Sequence, residues 1–248
     1  MGHHGQMHAQ PGVGISPGQA RVPVPEPPES DRREQRHLPA TSFRSRRSAL
    51  SGAQRQTWER LWPDLGLSVG PSSAEGPDRG EPPLDTRAWF GRQAPVVLEI
   101  GCGSGTSTVA MAKEEPDIDV IAVEIYRRGL AQLLCAIDRE QVRNIRLIRG
   151  NAIDVLQRFI APGSLTGVRV FFPDPWPKAR HHKRRFLQPA TVGLIADRLL
   201  PGGVLHAATD HPGYAEHIAE VGMGEPRLCR VDPGSRLPIS IVRPTTKY

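Results

Sequence analysis

Residues 96–100, Val-Val-Leu-Glu-Ile, form an apolar run that breaks directly into Gly101-Cys102-Gly103-Ser104-Gly105-Thr106, after which the pattern turns helical. A short run without polar alternation marks a strand buried on both faces, which confines the chain to a parallel sheet covered by helices. The glycines let the backbone turn tightly and aim the next helix N-terminus, with its unpaired N–H groups, over the sheet edge. The alternation continues along the chain. Strands are predicted at 120–124, 145–149, 168–172 and 204–208, and helices at 106–113, 127–138, 154–159, 183–200 and 214–221. Residues 228–231 and 239–242 read as two short strands closing an antiparallel edge. The expectation is an α/β, Rossmann-like, doubly wound and mainly parallel seven-stranded sheet, with its ligand at the carboxyl ends of the strands.

The spacing Gly101, Gly103, Gly105 is G-x-G-x-G, and Thr106 stands where a dinucleotide fingerprint wants its third glycine. That disfavours a dehydrogenase and favours S-adenosylmethionine as cofactor. Glu124 ends the second predicted strand at the distance expected for gripping ribose hydroxyls. A polar group accompanies every one of five strands: Glu99 within the first, then Glu124, Asn151, Asp174 and Asp210. Strand ends need polar caps, which explains one or two of these but not all five, so they are expected to converge on one rim.

The 248 residues suit one α/β domain with appendages. Residues 1–41 are rich in Pro and Gly and poor in large apolar groups, and composition predicts a disordered arm. The tandem His3-His4 within it is read as titrating rather than metal-binding. Residues 42–83 read as a basic helical appendage, with Trp58 and Leu61 on one face, followed by a Gly/Pro/Ser linker; 84–248 is the catalytic domain. Cys102, Cys135 and Cys229 are odd in number and form no C-x-x-C, so neither a disulfide framework nor a metal site is indicated. No stretch approaches the length of a membrane span, no secretory signal is apparent, and a cytoplasmic location is expected.

The most specific stretch is Phe171-Phe172-Pro173-Asp174-Pro175-Trp176-Pro177-Lys178-Ala179-Arg180-His181-His182-Lys183-Arg184-Arg185. A rigid carboxylate between two prolines is followed by a dense cationic segment that suits phosphate. Cations opening the predicted helix 183–200 would oppose its macrodipole, which argues for a nucleic-acid role over a solvated face. A formal charge of +6 and an isoelectric point near 9.7 agree with a polyanionic partner. Trp176 is read as a loop anchor before a base-stacking group.

With Leu98-Glu99-Ile100-Gly101-Cys102-Gly103-Ser104-Gly105, His206-Ala207-Ala208-Thr209-Asp210 and Arg243-Pro244-Thr245-Thr246-Lys247, this run resembles the bacterial tRNA (guanine-N7)-methyltransferases from about Ser42 onward. The resemblance implies that Glu99, Glu124, Asn151 and Asp174 bind S-adenosylmethionine, with Asp174 also at the catalytic position. It implies that Lys178, Asp210, Thr246 and Lys247 contact the substrate, that residues 178–183, including Arg180 and Lys183, contact tRNA, and that the methylated base is a variable-loop guanosine. The partner is then tRNA, with neither membrane nor metal, and the chain is expected to act as a monomer or homodimer. Three positions depart from the family pattern. Asn151 replaces an Asp, His211 replaces a Trp, and the chain ends at Tyr248 where the pattern continues with a Glu, which is expected to leave the substrate pocket one acceptor short. The alternatives are a methyltransferase of another substrate on the same fold, since fold does not fix substrate, or a non-catalytic tRNA-binding protein.

Overall fold

A computed structural model describes residues 49–70, 82–232 and 234–243, and the backbone of residues 4–9. The expected doubly wound sheet is present, built around β3 (Val96–Ile100), whose five residues are all buried. Parallel neighbours follow outward on both sides: β4 (Asp119–Glu124) and β5 (Ile145–Arg149) on one, β6 (Leu165–Phe171) and β7 (Leu199–Ala208) on the other. Crossover helices connect them: α3 (Thr106–Glu114), α4 (Arg127–Glu140), α5 (Ala152–Arg158) and α6 (Pro189–Arg198), with α7 (Pro212–Gly224) after β7. One face of the sheet packs Val120, Ala122 and Leu147 against Val109 of α3 and Leu130, Leu133 and Leu134 of α4. The other packs Leu98, Val123 and Val170 against Val155 of α5, Ile195 of α6 and Tyr214 of α7.

The sheet carries eight strands where seven were expected. One expected strand, 239–242, is not formed, and two are added: β1 (His4–Ala9) at the antiparallel edge, and β2 (Gly66–Ser68), which pairs parallel with β5. The latter follows α1 (Gly52–Leu65), a helix opened by a capping box between Ser51 and Gln54 and buried through Trp58. Arg60 makes a two-pronged ion pair with Asp138 of α4, and Arg127 lies 4.7 Å over the Trp58 ring. Residues 52–68 of the segment expected to be an appendage and linker thus pack onto the sheet and its helices. A short helix, α2 (Thr86–Phe90), is capped by Asp85 and places Trp89 and Phe90 against the core.

The antiparallel edge differs from expectation. It is formed by β8 (Leu228–Arg230) and by β1 (His4–Ala9), which pairs with both β7 and β8, although composition assigns residues 4–9 to an unstructured arm. Residues 239–242 are not a strand. Backbone groups of Ser240 bond side chains instead of a ladder: its N–H donates to Glu115 and its carbonyl accepts from Arg169. This segment covers Val97 and Val204 with Leu237 and Ile239. It does so closely enough that a methyl group on Gly167 would sit 2.6 Å from Ile239 Cδ1.

The helix expected over 183–200 is also corrected. Residues 179–184 form a 3-10 helix, and α6 begins only at Pro189, whose fixed φ and missing N–H suit a first helical position. Lys183, Arg184 and Arg185 therefore do not open an α-helix, and the macrodipole argument does not apply to them.

Candidate active site

The loop from β3 to α3 has Gly101, Gly103 and Gly105 all at left-handed φ, between 56° and 76°. Gly105 is doubly constrained, because a Cβ there would approach Leu133 Cδ1 to 2.4 Å. Gly101 and Cys102 donate to the Val123 carbonyl, which ties the loop to the end of β4. Glu124, just beyond, receives three backbone N–H groups: Gly103 on Oε2 at 3.1 Å, and Ile125 and Tyr126 on Oε1 at 2.7 and 3.0 Å. The sequence pointed to this acid as a ligand group. The structure adds that it fastens the glycine loop.

Two adjoining cavities open at the carboxyl ends of the strands and share Gly101, Phe171 and Phe172 as walls. The first, about 230 Å³, is lined by Glu124, Asn151, Asp174, Trp176 and Arg184. The second, about 650 Å³, is lined by Glu99, Gly103, Thr106, Pro175 and Asp210. The acids and amide singled out in sequence are thus brought together, divided between neighbouring chambers. Asn151 has a second duty as the N-cap of α5, its Oδ1 accepting from the Ile153 N–H at 2.9 Å.

Glu99 is only 3% exposed. Its Oε1 accepts from Thr108 Oγ1 at 2.8 Å, while Oε2 is buried with no hydrogen-bond partner among the described residues. Burial pushes its carboxyl up to about 7, against the opposing effects of the Thr108 hydrogen bond and the Arg169 charge. An unsatisfied carboxylate oxygen on a cavity wall is a site for a cationic or hydrogen-bond-donating ligand.

Asp174 stands at the exposed lip, and no described side chain pairs with it. Its loop is held rigidly. The flanking Phe172 and Trp176 both adopt left-handed φ, 49° and 44°, unusual for large side chains. The Phe172 N–H donates to Ala208 at the end of β7, and Arg185 Nε donates to the Pro175 carbonyl at 2.9 Å. Arg185 is itself buried, reaches the Gly213 carbonyl and lies 4.8 Å over the Tyr214 ring. Trp176, read as an anchor, lines the first cavity between Arg184, 5.0 Å over its ring, and the edge of His181.

Lys178, Arg180 and Lys183 are exposed on or beside the 3-10 turn bordering the cavity. Desolvation holds His181 below the usual histidine value, reinforced by Arg184, Arg180, Lys178 and Lys183, which shows how concentrated the positive field is there. Thr246 and Lys247 lie outside the described residues, as do the side chains of the tandem histidines. Arg184, Arg185 and Arg243 stand in the motifs quoted from the sequence but were given no site role of their own. Arg243 lies 4.2 Å over Phe172, and nothing in a single cationic letter separates such roles from solvated charge.

A family model described as "Putative methyltransferase" matches residues 93–248. The chain is 77% identical over 248 residues to the tRNA (guanine-N(7)-)-methyltransferase of Mycolicibacterium paratuberculosis, covering all of this chain and 93% of that protein. It is 69% identical over 251 residues to the protein of the same name from Mycobacterium tuberculosis H37Rv, with 100% and 89% covered. The chain belongs to the tRNA (guanine-N7)-methyltransferase family. Among solved structures, the precorrin-6y C5,15-methyltransferase of Geobacter metallireducens aligns at a TM-score of 0.44 and 16% identity, over 54% of this chain and 64% of that one. Among the described residues no group of three or more His, Cys, Asp or Glu is placed to hold a metal, and no helix is long and apolar enough to cross a membrane.

Proposed function

We propose that the chain transfers a methyl group from S-adenosylmethionine to N7 of a guanosine in the variable loop of tRNA, acting in the cytoplasm. The reading is supported by the placement of a carboxylate, Asp174, that has no side-chain partner among the described residues, between a two-chambered cofactor-sized cavity and an exposed cationic turn. The chambers fit the cofactor in chemistry as well as place. Glu124 and Asn151 offer acceptors in the first, and the orphaned Oε2 of Glu99 awaits a cationic group in the second.

S-adenosylmethionine, when bound, supplies an electrophilic methyl group on a sulfonium. Guanine N7 carries a lone pair and no proton, so the chain needs no general base; it must align the base and stabilise charge. Asp174 lies where positive charge would move onto the methylated ring. Asp210, exposed on the wall of the second chamber, is positioned to accept from guanine N1–H and N2–H₂, which adenine lacks. Lys178, Arg180 and Lys183 hold the phosphates, and tRNA bearing adenosine in place of the variable-loop guanosine is expected to accept no methyl. Undiminished transfer to that tRNA would refute the assignment of the base.

Glu99 makes cofactor affinity depend on pH. Its folded value, about 7, lies above the ordinary 4.5, so the free protein gains stability from the neutral acid at low pH and loses it as pH rises through about 7. A cationic ligand selects the carboxylate form. Affinity is therefore expected to rise about tenfold from pH 6 to pH 8, with proton release on binding. Calorimetric titration in buffers of different ionisation enthalpy measures this; Glu99→Gln should flatten the profile, and a flat wild-type profile would contradict the role.

A further inference from the structure

Arg169, in the middle of β6, is completely buried. It stands in register with Glu99 on β3 and His206 on β7, so the three lie side by side on one sheet face. Its Nη2 donates to Glu115 Oε2 at 2.5 Å and to the Ser240 carbonyl at 3.4 Å. Glu115 Oε1 accepts from the Ser240 N–H at 2.5 Å. One buried ion pair thus grips both backbone groups of a single residue 71 positions downstream of Arg169. Glu115 is fixed in turn, because Asn144 Nδ2 donates to its carbonyl and to those of Ala112 and Ile118 at the end of α3.

A buried ion pair is seldom needed for stability, since an apolar pair of the same volume does as well. This one has a geometric product. Three residues beyond Ser240, Arg243 lies 4.2 Å over the ring of Phe172, the residue at strained φ that walls both cavities and precedes Pro173-Asp174. Ile239, immediately before Ser240, is buried against Val97 of β3 and Val204 of β7 and lies over Gly167 of β6.

We propose that Arg169 and Glu115 form a latch that positions residues 237–243, and through Arg243 the Phe172 wall, for methyl transfer. Neither latch residue lines either cavity; Arg169 also bears on Glu99 through its charge, but the latch acts through the segment that Ser240 anchors. The proposal rests on the methyl-transfer reading, and it extends that reading to Arg169 and Glu115, which lie outside every motif quoted above.

Glu115→Gln removes the charge of the latch at nearly constant volume, and Arg243→Ala removes its far end from a half-buried position. Each is expected to lower kcat on saturating tRNA about tenfold while leaving the Kd for S-adenosylmethionine within about threefold. Because both act through one path, the double variant should lose no more than the worse single one, whereas independent sites would give losses that multiply; the split between a lowered kcat and an unchanged cofactor Kd is what a merely structural role would not produce. Hydrogen exchange at the Ser240 amide should quicken in Glu115→Gln while β3 and β4 stay protected. Wild-type kcat in both variants, or losses that multiply, would overturn the latch. If Glu115→Gln fails to fold, Ser240→Pro, which deletes the N–H donor to Glu115, replaces it in the cycle under the same criteria. A wild-type chain inactive on tRNA would overturn the methyl-transfer reading instead, and Ser240 exchange unchanged in the folded variant would then refute the latch by itself.

Discussion

Replacing Asp174 with alanine is expected to lower the rate of methyl transfer about 10³-fold, with cofactor and tRNA still bound, and Asp174→Asn about 10²-fold. The magnitude follows from what the site has to do. No proton must be moved from guanine N7, so the barrier is governed by alignment and by the field at the atoms whose charge changes. Asp174 lines the cavity, has no described side-chain partner, and sits on a loop that cannot relax freely between Pro173 and Pro175. A pre-aimed carboxylate of this kind stabilises developing positive charge without reorganising. Single-turnover rates at saturating enzyme isolate the step; a loss below about fivefold would mean that Asp174 only shapes the lip.

Arg185→Met should cost about 10²-fold in kcat/KM for tRNA and lower the melting temperature by several degrees, the equivalent of about 2–4 kcal/mol. Arg185 joins two parts of the site: the Pro175 carbonyl on the Asp174 loop and the Gly213 carbonyl at the start of α7, which follows Asp210. Its ring partner Tyr214 is buried, raised to about 12, and accepts from the Leu187 N–H, so the guanidinium rests on a fixed platform. Methionine keeps the volume and leaves both carbonyls without their donor. Arg185→Lys keeps the charge with fewer donors and should fall between. The comparison is informative against Lys183→Ala, which removes an exposed cation and should weaken tRNA binding without altering melting. Equal melting temperatures for Arg185→Met and the wild type would contradict the clamp.

These two residues show where the sequence was legible and where it was not. The parallel core could be read because buried strands and amphipathic helices leave periodic signatures; β5 was placed at its observed bounds and α3 and α4 within a residue or two. The rim acids could be read because each lies at or just beyond the carboxyl end of a strand. The cationic run could not be resolved by composition: Lys183 is exposed, Arg184 covers Trp176, and Arg185 is buried, yet the three are adjacent and chemically alike. The run into an apolar helix looked continuous from residue 183, although Pro189 marked the true start. Residues 239–242 have strand-like apolar character, and only the three-dimensional neighbourhood of Glu115 and Arg169 shows that Ser240 spends its backbone groups on side chains. Likewise, Trp58 looked like the apolar stripe of an appendage because its partners on α4, some 70 residues away, are invisible to local pattern.

The methylated atom can be identified directly in the product. Unmodified tRNA incubated with the wild-type chain and methyl-labelled S-adenosylmethionine, then digested to nucleosides, should yield label in N7-methylguanosine alone, in stoichiometric amount, and at an initial rate about 10³-fold lower with Asp174→Ala. Label in any other nucleoside, or none despite measurable cofactor binding, would contradict methyl transfer to guanine N7.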